Sequence, residues 1–218
     1  MEVLPIKSEE AKPWLLEKHY AKRMCPISFA FGAYIDGVLI GVVTYGVSAS
    51  STLRRGVCGE KWTDCVFELN RLCCANEKNV ASELVGKSMQ MLPKPTVVVS
   101  YADTEQGHVG YVYQATNFVY TGLSSKFKDP KVRGLEHKHH ATYAHGLSNA
   151  QVIEKFGAEN VYFVERARKH RYIFFVGSKT QKKNMMNDLT YKVLPYPKGD
   201  SRKYDAGGDV VTQGLLFI

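Results

Sequence analysis

The sequence is short of the features that mark several large classes of protein. It has no apolar run long enough to span a bilayer: the longest, Gly37–Val47, falls well short of the roughly 20 residues a membrane helix needs. It has no internal repeat and no low-complexity tract, which argues against solenoids and disordered chains. There is no Cys-x-x-Cys, and the five cysteines (Cys25, Cys58, Cys65, Cys73, Cys74) are odd in number. That argues against a disulfide framework and a cysteine-built zinc site, and suits reduced thiols in a cytosolic compartment. No secretory signal is read, because Glu2, Glu9 and Glu10 stand where one would carry basic residues and then an apolar core. The expectation is a cytoplasmic protein with no membrane partner. Negative charge is also scarce beside positive: 21 acidic residues against 29 basic ones leave a net charge of +8. Such an excess favours a polyanionic partner, nucleic acid ahead of an anionic surface.

What is present reads as an α/β chain. Its 218 residues can bury a substantial core. No convincing linker interrupts them, so the expected organisation is one domain over 1–218, with a core of about 10–178 and a loop-rich tail over 195–218. A first helix is expected near Pro13, with Leu15, Leu16 and His19 on one face and Cys25-Pro26 ending it. Ser28–Ile35 and Val38–Val47 read as a hairpin around Asp36-Gly37. Ser48–Cys65 is a polar excursion. Val66–Ala75 reads as a buried strand, Ala81–Leu92 as a helix stopped at Pro93, and Thr96–Asp103 as the clearest strand. A short helix is expected over His108–Thr116, with Asn117 in the left-handed position after it, then an extended run over Phe118–Thr121. Lys126–His145 is basic and rich in histidine. Ser148 is placed to cap a helix through Phe156, closed by Gly157. Asn160–Glu165 and Arg171–Val176 look like two antiparallel strands.

Two segments carry chemistry. In Val66–Ala75, strand alternation puts Glu68 and Asn70 on one face, with Leu69 and Arg71 on the other. Charges on both faces of a buried strand need partners or a cleft, so Glu68 and Arg71 are either structural ion pairs or site residues. The second segment, Val97–Gly122, reads VVVSYADTEQGHVGYVYQATNFVYTG. There Ser100, Tyr101, Asp103, Gln106, His108, Tyr113, Gln114 and Asn117 crowd the C-terminal end of a strand and the start of a helix, where α/β proteins place ligands. Tyr101 and Asp103 should point the same way and Ser100 the other. An aromatic ring to stack on and a carboxylate to accept from an exocyclic amine suit a nucleobase. Taken singly, Tyr101 also reads as core and Asp103 as the cap of the next helix.

The same region resembles the GNAT acyltransferase fold, in which a strand, a phosphate-binding loop and a helix lead to a second strand that splays away. Tyr113, Asn117, Phe118 and Gly122 stand at the spacings of its Tyr-x-x-x-Gly-Phe-x-x-x-Gly pattern, with Asn in place of the first Gly. The resemblance implies that Tyr113 is a general acid toward a leaving group and that the donor is of the acyl-coenzyme A type. The stretch Asn76–Ser82, however, lacks the glycines of that family's phosphate loop.

SYADTEQGHVGYVYQATNFVYTG resembles, more closely, the signature of the Mom family of phage DNA-modification proteins. Glu68-Leu69-Asn70-Arg71-Leu72, His19-Tyr20 and Lys169-His170-Arg171-Tyr172 fit it as well. That resemblance implies a GNAT-like fold and conversion of adenine in double-stranded DNA to N6-(carbamoylmethyl)adenine, which shields phage DNA from restriction. It implies catalytic roles for His19, Tyr20, Arg71, Ser100, Tyr101 and Asp103, with Gln106, His108 and Tyr113 behind them. Glu68, Gln106, His108, Gln114, Asn117, Arg168, Lys169 and Arg171 are the candidate substrate contacts. The basic run Arg166–Arg171, with Lys126, Lys128, Lys131, Arg133 and Lys138, reads as a phosphate-contacting surface or a solvated hairpin tip. His137, His139, His140 and His145 match no standard metal spacing, and no metal site is expected from them. A transition metal such as iron, held by His19 and another histidine, is left open, and the donor is unidentified. A homodimer is compatible with an enzyme on duplex DNA. The competing functions are an acyl-coenzyme A N-acyltransferase acting on a small-molecule or protein amine, and a non-catalytic nucleic-acid binder.

Overall fold

Apolar alternation and two turn signals set most of the framework. The computed structural model describes residues 1–48, 50–138, 141–144 and 146–199. The described chain folds as two compact units: Met1–Gly122 with residues 170–199, and Leu123–Lys169.

In the larger unit, β1 (Glu2–Pro5), β2 (Phe29–Ile35), β3 (Val38–Val47) and β4 (Val66–Cys74) are joined antiparallel, and β4 pairs in parallel with β5 (Thr96–Asp103). The seven-stranded sheet is completed beyond β5 by β9 (Lys169–Val176) and then β6 (Val119–Leu123). The expected hairpin is present. Asp36 and Gly37 both take positive φ (50° and 78°), the conformation a tight two-residue turn needs and for which Asp-Gly is suited.

Strand alternation sorts the sheet's two faces. Val98 and Ala102 of β5 join Val43, Tyr45 and Leu69 under α3 (Val80–Met91), whose Leu84, Val85 and Met89 are buried there. Val97 and Val99 point the other way, into a cluster with Val57 and Cys58 of α2 (Ser51–Cys58) and Met185 of α7 (Lys179–Asn187). Each fully buried valine side chain contributes about 1.5–3 kcal/mol, which is why the unbroken run Val97–Val99 suits β5 to an interior position covered on both faces.

Several expectations are corrected. The first helix starts earlier, as α1 (Ser8–Pro13), and continues as a π turn over Trp14–Lys18, so it ends before Cys25-Pro26. The polar excursion Ser48–Cys65 is largely helical: Ser50 accepts from the Leu53 amide and so caps α2, and a 3-10 turn over Glu60–Cys65 follows. The helix expected over His108–Thr116 shrinks to α4 (Tyr111–Ala115), because Gly110 takes φ 81° just before it. Asn117 does take the left-handed position, at φ 60°. The smaller unit contains β7 (Phe127–Val132), unexpected in a basic stretch, the single turn α5 (Ala141–Ala144), and α6 (Asn149–Phe156), capped by Ser148 as expected. The antiparallel partner of β8 (Val161–Arg166) is β7, whereas β9 belongs to the large sheet. His139, His140, His145 and the tail from Asp200 lie outside the described residues. Among the described residues no helix is long and apolar enough to cross a membrane.

Alternation also fails inside β4. Thr44 pairs with Arg71 and Tyr45 with Leu69, which leaves Asn70 as the extra residue of a β-bulge. Its side chain is pinned from two sides: Oδ1 accepts from the Thr44 hydroxyl (2.6 Å), and Nδ2 donates to the Pro26 carbonyl (2.7 Å). Gly46 makes room for this knot, since a Cβ there would lie 2.0 Å from the Pro26 carbonyl oxygen and 2.8 Å from Asn70 Nδ2.

Gly46→Ala should therefore destabilise the protein by about 2–3 kcal/mol, read as a lower urea midpoint at unchanged m-value. Alkaline sensitivity follows from the buried thiols. Burial pushes Cys58 and Cys73 from the ordinary value near 9 up to about 12. Below pH 9 both states keep these protons. As the pH climbs toward 12 the unfolded thiols ionise while the buried ones resist, so the melting temperature should hold to about pH 8.5 and then fall. Cys58→Val should make that fall shallower.

Candidate active site

The site lies where β4 and β5 part. Their ladder runs Val66↔Val97 to Leu69↔Ser100 and stops, although β4 continues to Cys74 and β5 to Asp103. The parting begins at the Asn70 bulge. Backbone groups that lose a strand partner must find another. The Ser100 hydroxyl donates to the Leu69 carbonyl (3.3 Å), and the Arg71 guanidinium donates to the Asn70 carbonyl (2.6 Å). Arg71 Nε is buried and has no hydrogen-bond partner.

Between the separated strands is a cavity of about 730 Å³. Leu69–Leu72 line one side and Tyr101–Ala102 the other. The remaining wall comes from His19-Tyr20, from Gly107–Tyr113, and from Cys74–Asn79 with Ala81 at the start of α3. This size is within the range of small-ligand sites and accommodates a purine.

Each cavity group is held by an identifiable local device. His19 is delivered by the π turn, in which its amide donates to the Trp14 carbonyl (2.9 Å), an insertion of a kind that recurs at functional sites. The ring is buried, and Nδ1 accepts from the Ala21 amide (3.0 Å), which assigns the proton of the neutral ring to Nε2. The His19 and Tyr20 rings are 4.3 Å apart, and Tyr20 meets His108 edge-on at 6.1 Å. His108 stands between Gly107 (φ 68°) and Gly110 (φ 81°), which turn the chain back toward β9. At Gly110 a Cβ would sit 2.4 Å from the Tyr172 ring.

The electrostatics follow from burial. His108 is held below the ordinary imidazole value by desolvation, with the nearby Asp103 acting in the opposite direction, so its ring is neutral at pH 7. Tyr113 is pushed up to about 12 by burial, against a hydrogen bond with the Ser100 hydroxyl. Tyr101 is likewise pushed to about 12 by burial and then by Glu68, while Arg171 opposes the shift. Both phenols keep their protons at neutral pH.

Of the residues singled out in the sequence, His19, Tyr20, Arg71, Tyr101, His108 and Tyr113 line the cavity together. Ser100 is buried behind Tyr113 and Glu68 lies near the two phenols, both outside the lining. Asp103 corrects the expectation that it shares a pocket with Tyr101. It is 8% exposed and absent from the lining, and its carboxylate accepts from the Glu105 amide (3.1 Å), capping the 3-10 turn Thr104–Gln106. Gln106 is exposed on that turn. Gln114 ties the Val109 carbonyl to the Tyr172 hydroxyl (3.2 and 3.1 Å), and Asn117 serves the turn after α4. The basic run is occupied locally rather than at the cavity. Arg168 donates to the Ser124 and Leu123 carbonyls (2.6 and 3.2 Å), and the Lys169 amide to the Ser124 hydroxyl (2.9 Å). Arg171 donates to the Thr121 hydroxyl (2.9 Å), bonds the Tyr101 hydroxyl, and stacks 3.4 Å over the Tyr191 ring.

Sequence reasoning missed the wall formed by Cys74–Asn79, set aside because it lacks glycine. Asn79 supplies the left-handed turn there, at φ 66°, and leaves the first amides of α3 without a side-chain cap. Asn79 and Ala81 both line the cavity, so the residues present fit an anionic group of a donor, with Lys78 beside it. Among the described residues no group of three or more His, Cys, Asp and Glu side chains is placed to hold a metal ion.

The profile of the Mom protein family matches residues 1–198. A curated relative, Methylcarbamoylase mom of Escherichia phage Mu, is 28% identical over 203 residues, covering 86% of this chain and 80% of that protein. Solved structures with some likeness include an N-acetyltransferase from Staphylococcus aureus Mu50, at TM-score 0.42 and 11% identity over 81% of this chain and 99% of that one. Another is the ribosomal-protein-S18-alanine N-acetyltransferase from Escherichia coli, at TM-score 0.43 and 7% identity over 81% and 94%. With the family profile matched over nearly its whole length, the chain belongs to the Mom protein family.

Proposed function

We propose that the protein is a DNA-modifying transferase that attaches a carbamoylmethyl group to the N6 amine of adenine, with the base swung out of the duplex into the cavity between β4 and β5. The family membership and the relative named as a methylcarbamoylase support the reaction class. The observation that carries the reading is the cavity itself: room for a purine, with two protonated phenols and a neutral imidazole on its walls. Extrusion is required because the N6 amine is engaged in pairing inside a duplex.

The N6 lone pair is delocalised into the ring, so attack needs help at the proton. One bond forms, from N6 to the incoming methylene carbon. One bond breaks, from that carbon to the donor's leaving group, which departs with the electron pair. His108 takes the N6 proton, being neutral at pH 7 and on the cavity wall. Asp103 is a positioning residue that acts through His108. Tyr113 is the acid that protonates the leaving group, as a phenol held in its protonated form. Tyr101, its hydroxyl held by Arg171, presents its ring for the base to stack on. The donor, whose identity is open, must carry the carbamoylmethyl methylene directly on its leaving group, since a coenzyme A thioester would be attacked at its carbonyl and give an N6 amide; its anionic groups would be held by Lys78 and the first turn of α3.

The decisive measurement is mass spectrometry of nucleosides from host DNA after expression of the protein. A deoxyadenosine heavier by one carbamoylmethyl group is expected, and its absence from cells making folded wild-type protein would overturn the reading. His108→Asn should lower the yield about 10²- to 10⁴-fold. The pH profile provides a separate check. The acid limb should lie below the ordinary histidine value, since His108 must be unprotonated to act. Asp103→Asn removes an influence that raises the His108 pKa, so the limb should move to still lower pH; a merely structural Asp103 would leave it in place.

A further inference from the structure

The cavity leaves the smaller unit, Leu123–Lys169, without a role. Its β7–β8 pair is a two-stranded antiparallel ribbon of six residue pairs, Phe127↔Arg166 to Val132↔Val161. At one end Val132 and Val161 enter a small core with Ala144, Val152 and Phe156, which fixes one face of the ribbon inward there. By alternation the other face carries Phe127 with Arg166, Asp129 with Val164, and Lys131 with Tyr162. On that face Phe127 is 58% exposed and Val164 42%. Arg166 is spent on Asp129, with Nε 2.9 Å from a carboxylate oxygen and a second bond alongside. Phe127 is flanked in sequence by Lys126 and Lys128, and Lys131 follows soon after in the same strand. Among the described residues these three lysines make no ion pair, although Glu165 stands opposite Lys128 in the ladder. Over the unit, nine Lys and Arg face five Asp and Glu.

An exposed aromatic ring on a two-stranded ribbon, with the unpaired Lys131 on its own face, Lys128 on the other and Lys126 just before the strand, is suited to a surface that is densely anionic and also offers stacked, apolar steps. Duplex DNA has both: a phosphate array for lysines, a groove that admits a β-ribbon, and base steps into which a phenylalanine can wedge. We propose that the β7–β8 ribbon is the duplex-engaging element of the protein, with Lys126, Lys128 and Lys131 on the phosphates and Phe127 as the wedge that loosens the stack. This rests on the proposed DNA-modifying function for its purpose, but its binding prediction is separate from the chemistry.

The test uses the full chain and a mixed-sequence duplex, with circular dichroism to confirm folding. Replacing Lys126, Lys128 and Lys131 by Gln should weaken binding about tenfold or more near physiological salt. It should also reduce the slope of log affinity against log salt by about 2 to 3, at 0.9 per phosphate contact. A charge-matched control, Lys12→Gln with Lys94→Gln and Lys183→Gln, three exposed lysines outside the ribbon, should leave the slope unchanged. Phe127→Ala should keep the slope but lower the ratio of duplex to single-strand modification about tenfold. A triple variant with wild-type slope overturns the ribbon assignment even if modified deoxyadenosine is abundant. Loss of self-association with unchanged DNA binding also overturns it, by assigning the face to a second copy of this chain. If the triple variant loses the slope while wild type makes no modified nucleoside, the ribbon stands and the chemical reading falls.

Discussion

The site depends on one side chain that keeps a sheet open. Asn70 is the extra residue of a bulge, and its amide bridges the Thr44 hydroxyl and the Pro26 carbonyl. While it is held there, β4 cannot stay in register with β5, and their ladder ends one residue earlier. A gap between parallel strands would normally close, because both edges carry backbone groups that need partners. Here Ser100 and Arg71 satisfy the carbonyls at the parting, which lowers the cost of keeping the strands apart. The bulge also shifts the phase of β4. Leu69 before it and Leu72 after it face the same apolar cluster, so the strand passes the site without losing its core contacts.

The chemistry of the site follows from where burial falls. Two phenols and an imidazole stand at the cavity wall and are desolvated enough to stay uncharged at neutral pH. The charged groups that tune them, Glu68, Asp103 and Arg171, stand behind that wall and have partners of their own. Neutral groups facing a reactant, with charges one layer back, hold proton donors and acceptors in defined forms without placing a bare charge against an apolar ring system. Arg171 illustrates the economy of this layer: one guanidinium ties β6 through Thr121, covers Tyr191, and fixes the Tyr101 hydroxyl.

The two units differ in kind. The larger one has a seven-stranded sheet with a core on both faces, a frame stiff enough to hold side chains in place. The smaller one has a single ribbon with one small apolar cluster and an excess of cations. On the proposed reading, the first supplies geometry for chemistry and the second supplies adhesion.

Much of the fold could be read from the chain alone. The alternation of β2 and β3 around Asp36-Gly37, the unbroken valines of β5, the Ser148 cap and the left-handed Asn117 are local features whose physics needs no distant partner. The density of polar and aromatic residues over Val97–Gly122 likewise pointed to a candidate site at the end of β5, and His19, Tyr20, Arg71, Tyr101, His108 and Tyr113 line one cavity there. What sequence could not decide was which polar groups face the cavity and which are used up holding it. Asp103 and Tyr101 share a strand face, yet a turn amide claims the first and leaves the second on the cavity wall. Arg168 and Arg171 read as surface charge but are bound to carbonyls and rings. The bulge at Asn70 is invisible to a rule of strict alternation. These outcomes depend on partners dozens of residues away in the chain, because a hydrogen bond is assigned by proximity in space, and only the folded chain brings those atoms within reach.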